Sequence, residues 1–161
     1  MIMENNNEPV KQTIDYQVAE IQLSYRQKVK PSLMPKISCS RDAYDLLLKN
    51  WDENLIGFQE QFKMLVLNRA HKVLGQLEVS LGGVSGTVAD PKMIFAAALK
   101  ANASGIIVAH NHPSGNLAAS QSDIELTKKL RGAGAFLELP LLDHIIVTTE
   151  GYFSFADQGM L

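Results

Sequence analysis

The chain has 161 residues, 46% of them hydrophobic and 20% charged, which suits one globular domain with an ordinary core and excludes a disordered or fibrous protein. A formal net charge of −2 gives no general attraction for phosphate backbones, and the single cysteine, Cys39, rules out an internal disulfide and a four-thiolate metal site. No apolar run approaches the roughly 20 residues of a spanning helix, and the polar start MIMENNNEPVKQT does not read as a signal peptide, so a cytoplasmic protein with no membrane partner is expected.

Residues 1–12 are rich in Asn and Glu and predict a flexible tail. Between Tyr16 and Val29 apolar residues alternate imperfectly at Val18, Ile21, Leu23, Tyr25 and Val29, which predicts a strand. Pro31 and Pro35 then forbid a regular ladder or a helix interior, so KPSLMPKI is a connector. SRDAYDLLLKNWD spaces Ala43, Leu46, Leu47 and Trp51 as a helix does, with Ser40 as its N-cap. Residues 13–58 are thereby set apart as an N-terminal extension of strand, connector and helix, ahead of a main domain over 59–161.

In that domain two apolar runs flank NRAHK, the pattern of a β-hairpin with Phe62, Met64 and Val66 on one side of its first strand. DPKMIFAAALKANA is a helix capped by Asp90, with Pro91 at the first helical position, where a missing N–H costs nothing. SGIIVAH is a buried strand. SQSDIELTKKLRGAGAFL is helical through Ile124, Leu126 or Thr127 and Leu130 on its inner face, and loses the pattern at Gly132 and Gly134. LPLLDHIIVTTEGYFSF closes the chain as a strand, a turn at Gly151 and a short second strand. The fold class is α/β, with a mixed sheet flanked by helices.

The chemistry gathers after SGIIVA, in HNHPSGNLAASQSD. Side chains alternate along an extended chain, so His110 and His112 share a face and Asn111 takes the other; Pro113 holds His112 extended. Asp123 follows eleven residues after His112, in the first turn of the next helix, and the intervening loop can fold that turn back onto the strand end. Two imidazoles and a carboxylate form an open metal site of the zinc kind, with a position left for water. Zinc there lowers the pKa of such a water towards ~7, and a carboxylate outside the ligand set is then needed as base. Spacing does not choose among Glu53, Glu60, Glu78 and Glu125.

HNHPSG followed by SQSD resembles the JAMM, or MPN-plus, metalloprotease signature of His-x-His, a short loop and Ser-x-x-Asp. DPKMIFAAALKANASGIIVAHNHPSG and LLDHIIV are closer still to its RadC-like bacterial branch, over about Gln59 to Phe155, in a short form without the helix-hairpin-helix region of longer RadC proteins. The resemblance implies the JAB/MPN (cytidine-deaminase-like) architecture, a Zn2+ cofactor and a peptide or protein substrate. It implies that His110, His112 and Asp123 are the zinc ligands, that Glu60 in QEQFKMLVLN is the catalytic glutamate, and that Ser120 helps hold the oxygen of the tetrahedral intermediate. The family name also suggests DNA repair, so the alternative from another class is a DNA- or partner-binding module with a non-catalytic metal site, against which the net charge argues.

Asp123 has a structural competitor, since Ser120-x-x-Asp123 also spells a capping box. Asp143 and His144 alternate faces and cannot both reach the metal; structural roles are expected for both, with one available to orient a ligand histidine. His71 is expected to be solvated at the hairpin tip, Asn111 to bond the loop, and Cys39 to be inert.

Overall fold

The computed structural model describes residues 17–22, 25–82 and 88–161. Its centre is β3 (Gly105–Asn111), which pairs antiparallel with β1 (Gln61–Leu67) on one side and parallel with β4 (Leu141–Val147) on the other. The edges are β2 (Val73–Leu81), hairpinned to β1, and the short β5 (Tyr152–Ser154), giving the order β2-β1-β3-β4-β5. The parallel pair requires a crossover, and α3 (Gln121–Phe136) supplies it. With α1 (Ser40–Lys49) and α2 (Pro91–Lys100) this is the expected mixed sheet flanked by helices.

β1 and β3 are buried along their whole lengths, because both sheet faces are covered. Phe62, Met64, Val66, Ile106 and Val108 pack with Ile94, Phe95 and Ala98 of α2 and Leu130 of α3. Leu65, Leu67, Ile107 and Ala109 face the other way, against Ala43, Tyr44 and Leu47 of α1 and against Ile37, Trp51 and Ile56. Residues 37–56 thus share one core layer with the central strands, and the line drawn between 58 and 59 falls just beyond that layer.

Several local expectations hold. The Asp90 carboxylate accepts from Lys92 N at 2.9 Å with Pro91 at the start of α2, and Ser120 caps α3. The β1–β2 turn places His71 at its exposed tip with φ 57°. The connector carries one 3-10 turn, Pro31–Leu33, and Lys36 bridges to Lys72 beside that tip.

Three expectations are corrected. Residues 17–22 and 25–30 form no strand; Val18 and Ile21 are 94% and 88% exposed, because alternation without a neighbouring edge has nothing to ladder with. Leu23 of that segment, and the tail over 1–12, lie outside the described residues. The N-cap of α1 is Cys39 rather than Ser40: Asp42 accepts from Ser38 N at 2.8 Å and Cys39 N at 3.3 Å, while the Ser40 hydroxyl turns to Asp157. Finally, α3 does not fail at its glycines but runs to Phe136. Gly134 is where it meets the chain entering β4: a Cβ there would sit 2.5 Å from Leu139 O, so the contact demands glycine.

Candidate metal centre

The register Phe62↔His110 puts the end of β3 beside the start of β1, and the face shared by Phe62 and His110 looks towards α3. His110 and His112 converge as alternation requires, with Nε2 atoms 3.0 Å apart. The loop from Pro113 to Ala119 returns the chain so that α3 begins at the same place. His110 Nε2 lies 3.2 Å from Asp123 Oδ1, and His112 Nε2 lies 3.8 Å from Asp123 Oδ2. Ligand atoms of the three residues all fall within 4.8 Å of one another, a group that could hold a metal ion.

Cap and ligand turn out not to compete for Asp123. Its Oδ2 accepts from Ser120 N at 2.7 Å and from the Ser120 hydroxyl at 2.7 Å, closing the capping box, while Oδ1 stays turned to His110. Burial works to raise the Asp123 carboxyl, but the adjacent His110 ring, followed by the Ser120 bonds, outweighs it and holds the group well below the usual carboxylate range.

Each histidine is oriented through its other nitrogen. His112 Nδ1 lies 2.6 Å from Asn116 O, and His110 Nδ1 lies 2.9 Å from Nε2 of His144. His144 sits beside β3 through the pair Val108↔His144 and is fully buried. Its pKa lies well below the ordinary histidine value, first because burial penalises the cation and next because of charge on His110, so the ring is neutral. Phe62 stacks on His110 with planes 3° apart, and Phe155 stacks on His144 with planes 10° apart.

Asn111, between the two histidines, faces the α1 side with no exposure. Its Oδ1 accepts from Gln61 N at 2.7 Å, and its Nδ2 donates to Gln59 O at 2.9 Å and Ile56 O at 2.7 Å. It therefore grips the backbone on both sides of Glu60, whose own carbonyl accepts from Gly82 N. Glu60 is half-buried, and continuing the β1–β3 register by two residues sets it opposite His112. Ser120 is exposed at the site's edge, with its hydroxyl proton committed to Asp123.

Glu53 and Glu78 lie elsewhere: Glu53 beside Trp51 and Ile56 on the α1 side, Glu78 bonded to Gln61 Nε2 at 2.7 Å. Glu125 bonds Gln121 along α3. Asp143 faces away from the metal group and accepts from the Ser154 hydroxyl, Ala156 N and His144 N. One contributor went unrecognised in the sequence: Thr127, which reads there as a core position of α3, touches His144. His144 is the member of the Asp143–His144 pair that meets a ligand histidine, the role left open to one of the two.

No helix among the described residues is long and apolar enough to cross a membrane. Residues 37–160 match the family model described as a RadC-like JAB domain. The chain is 39% identical over 146 residues to a UPF0758 protein of Flavobacterium johnsoniae, covering 89% of this chain and 62% of that protein. It is 45% identical over 104 residues to a UPF0758 protein of Porphyromonas gingivalis, covering 64% of this chain and 46% of that one. The chain thus spans less than two thirds of the length of these relatives. With the family match running from the connector through β5 and taking in His110, His112 and Asp123, the chain belongs to the RadC-like JAB domain family.

Proposed function

We propose that the chain is a zinc-dependent hydrolase of the JAMM type, acting on an amide or isopeptide bond in a peptide or protein substrate. The observation that carries this reading is the convergence of His110 Nε2, His112 Nε2 and the Asp123 carboxylate. Both Nδ1 atoms face partners elsewhere, so each ring turns its Nε2, and Asp123 a carboxylate oxygen, to one point where a cation would be held. Ligands about 2.0–2.1 Å from a tetrahedral zinc lie about 3.3 Å apart. The separations of 3.0 Å between the two Nε2 atoms and 3.2 Å from His110 Nε2 to Asp123 Oδ1 lie close to that spacing, and two imidazoles with one carboxylate suit zinc's borderline character.

Zinc bound there would polarise the scissile carbonyl and make a coordinated water acidic near neutral pH. The protein's own part is to hold, orient and move protons. Asp123 keeps a ligand oxygen ionised at neutral pH, with Ser120 fixing its other oxygen. Glu60, held by Asn111 at the peptide units before and after it, takes a proton from water on its carboxylate and returns it to the leaving amine. Ser120 serves the oxyanion when its hydroxyl turns from Asp123 Oδ2 to the substrate oxygen.

The test is elemental analysis of protein purified without chelator or nickel affinity resin, beside His112→Ala and Asp123→Ala. One zinc per native chain and none in either variant is the expected result. A folded native protein that holds no metal, even after equilibration with zinc, overturns the proposal.

A further inference from the structure

The two ligand histidines are oriented by different means. His112 Nδ1 faces a backbone carbonyl, Asn116 O, at 2.6 Å, and a carbonyl only accepts, so His112 carries its proton on Nδ1 and leaves Nε2 bare. His110 Nδ1 instead faces another imidazole nitrogen, His144 Nε2, at 2.9 Å. Either nitrogen could carry the proton between them. The choice matters, because a neutral His110 with its proton on Nε2 offers no lone pair to a cation.

The choice is made one residue further on. The Thr127 hydroxyl has one proton and donates it to Asp123 O at 2.6 Å, across one turn of α3. Towards His144 Nδ1, 2.7 Å away, it can then only accept. His144 must carry its proton on Nδ1, its Nε2 must accept, and His110 must donate from Nδ1. We propose that Thr127, acting through His144, fixes the tautomer of His110 and so keeps its Nε2 lone pair turned to the metal ion. The chain of bonds begins on the carbonyl of one ligand residue, Asp123, and ends on another, His110, linking α3 to β3 by way of β4.

The surroundings keep this relay from being rewired. Thr127, His144 and His110 are 1%, 0% and 1% exposed, so solvent does not offer substitute partners. The stacked rings of Phe62 and Phe155 hold the two imidazole planes. Thr127 and His144 are positioning residues: neither touches the centre itself.

The inference rests on the zinc reading, and its test separates the two. Ring-nitrogen NMR on metal-free native protein should show His144 protonated on Nδ1 alone. Thr127→Val keeps the side chain's shape but removes the acceptor, so His144 should populate the Nε2-protonated form. Zinc affinity, measured by chelator competition, should fall roughly 10- to 100-fold, and Thr127→Ser should restore both readouts. Finding His144 protonated on Nε2 in the native protein overturns the relay. So does a folded Thr127→Val protein that binds zinc as tightly as the native one. If the native protein binds no zinc, the zinc reading falls, and the His144 tautomer still decides whether the relay exists.

Discussion

Neighbouring residues of β3 and β4 send polar side chains to opposite faces of one sheet, and the two faces treat them differently. On the α1 face, the amide of Asn111 finds an internal donor and two internal acceptors, and the carboxylate of Asp143 is met by the Ser154 hydroxyl and two backbone N–H groups. On the α3 face, two ring nitrogens of His110 and His112 and a carboxylate oxygen of Asp123 converge within 4.8 Å of one another. Burial is similar for Asn111 and His110, at 0% and 1% exposure. Burial of a polar group therefore does not mark a site. Convergence of ligating atoms does, because a balanced network is complete within the protein, whereas atoms gathered in this way could hold a metal ion.

The largest effect should come from the one residue that both faces influence. Glu60→Gln removes the carboxylate and keeps the shape, so activity should fall about 10²- to 10⁴-fold while one zinc stays bound. Undiminished turnover on a cleavable peptide or isopeptide would remove Glu60 from the mechanism and cut the link between the Asn111 clamp and the chemistry.

Asn111→Ala tests the balanced face. It strands Ile56 O, Gln59 O and Gln61 N without their partner, and at roughly 1–3 kcal/mol for each buried unsatisfied group the loss of folding stability should be about 3 kcal/mol or more by urea denaturation. His112→Ala, one residue away on the other face, should cost the metal-free protein under about 1 kcal/mol, since it relieves a crowd of acceptors rather than breaking a pairing. Equal losses in the two variants would erase the contrast.

Ser120→Ala comes next. It removes the hydroxyl bonds to Asp123 N and Oδ2 but keeps the bond from backbone N to Oδ2. Helix capping should weaken by about 1 kcal/mol, and zinc affinity should fall less than tenfold. A greater loss of affinity would mean that the hydroxyl, not the backbone, aims Asp123.

The parts of the molecule legible in the sequence are those decided by local rules. Alternation brings His110 and His112 together, Asp90 and Pro91 start α2, and the period of two divides β1 between the faces. What escaped was decided by distant partners. Thr127 reads as a core position of α3, and its role depends on His144, 17 residues away, which in turn acts on His110, 34 residues away. Gly134 reads as a helix break by intrinsic propensity, yet tertiary contact with Leu139 makes it obligatory. The alternation from Val18 to Val29 reads as a strand, but a strand is a property of a pair, and no partner lies beside its described residues.

Asp143→Asn gives the smallest effect and the sharpest test of the idea of balance. Burial raises the Asp143 carboxyl above its ordinary value, while bonds from Ser154, Ala156 N and His144 N partly oppose the rise. Because the folded value is raised, the folded state holds this proton more tightly than the unfolded chain does. The stabilisation from protonation is fully present below the unfolded pKa and is lost as pH rises through the folded value, so at neutral pH the charged carboxylate carries its burial penalty. Asparagine keeps an acceptor for the two N–H groups, and the Ser154 hydroxyl can accept in place of donating. Stability at pH 7 should therefore change by under about 1 kcal/mol, and the acid-side gain that Asp143 gives the native protein should disappear from urea titrations run over a pH series. A large loss at pH 7 would show that the charge itself is required on the α1 face, and that its network of donors is tuned to an anion.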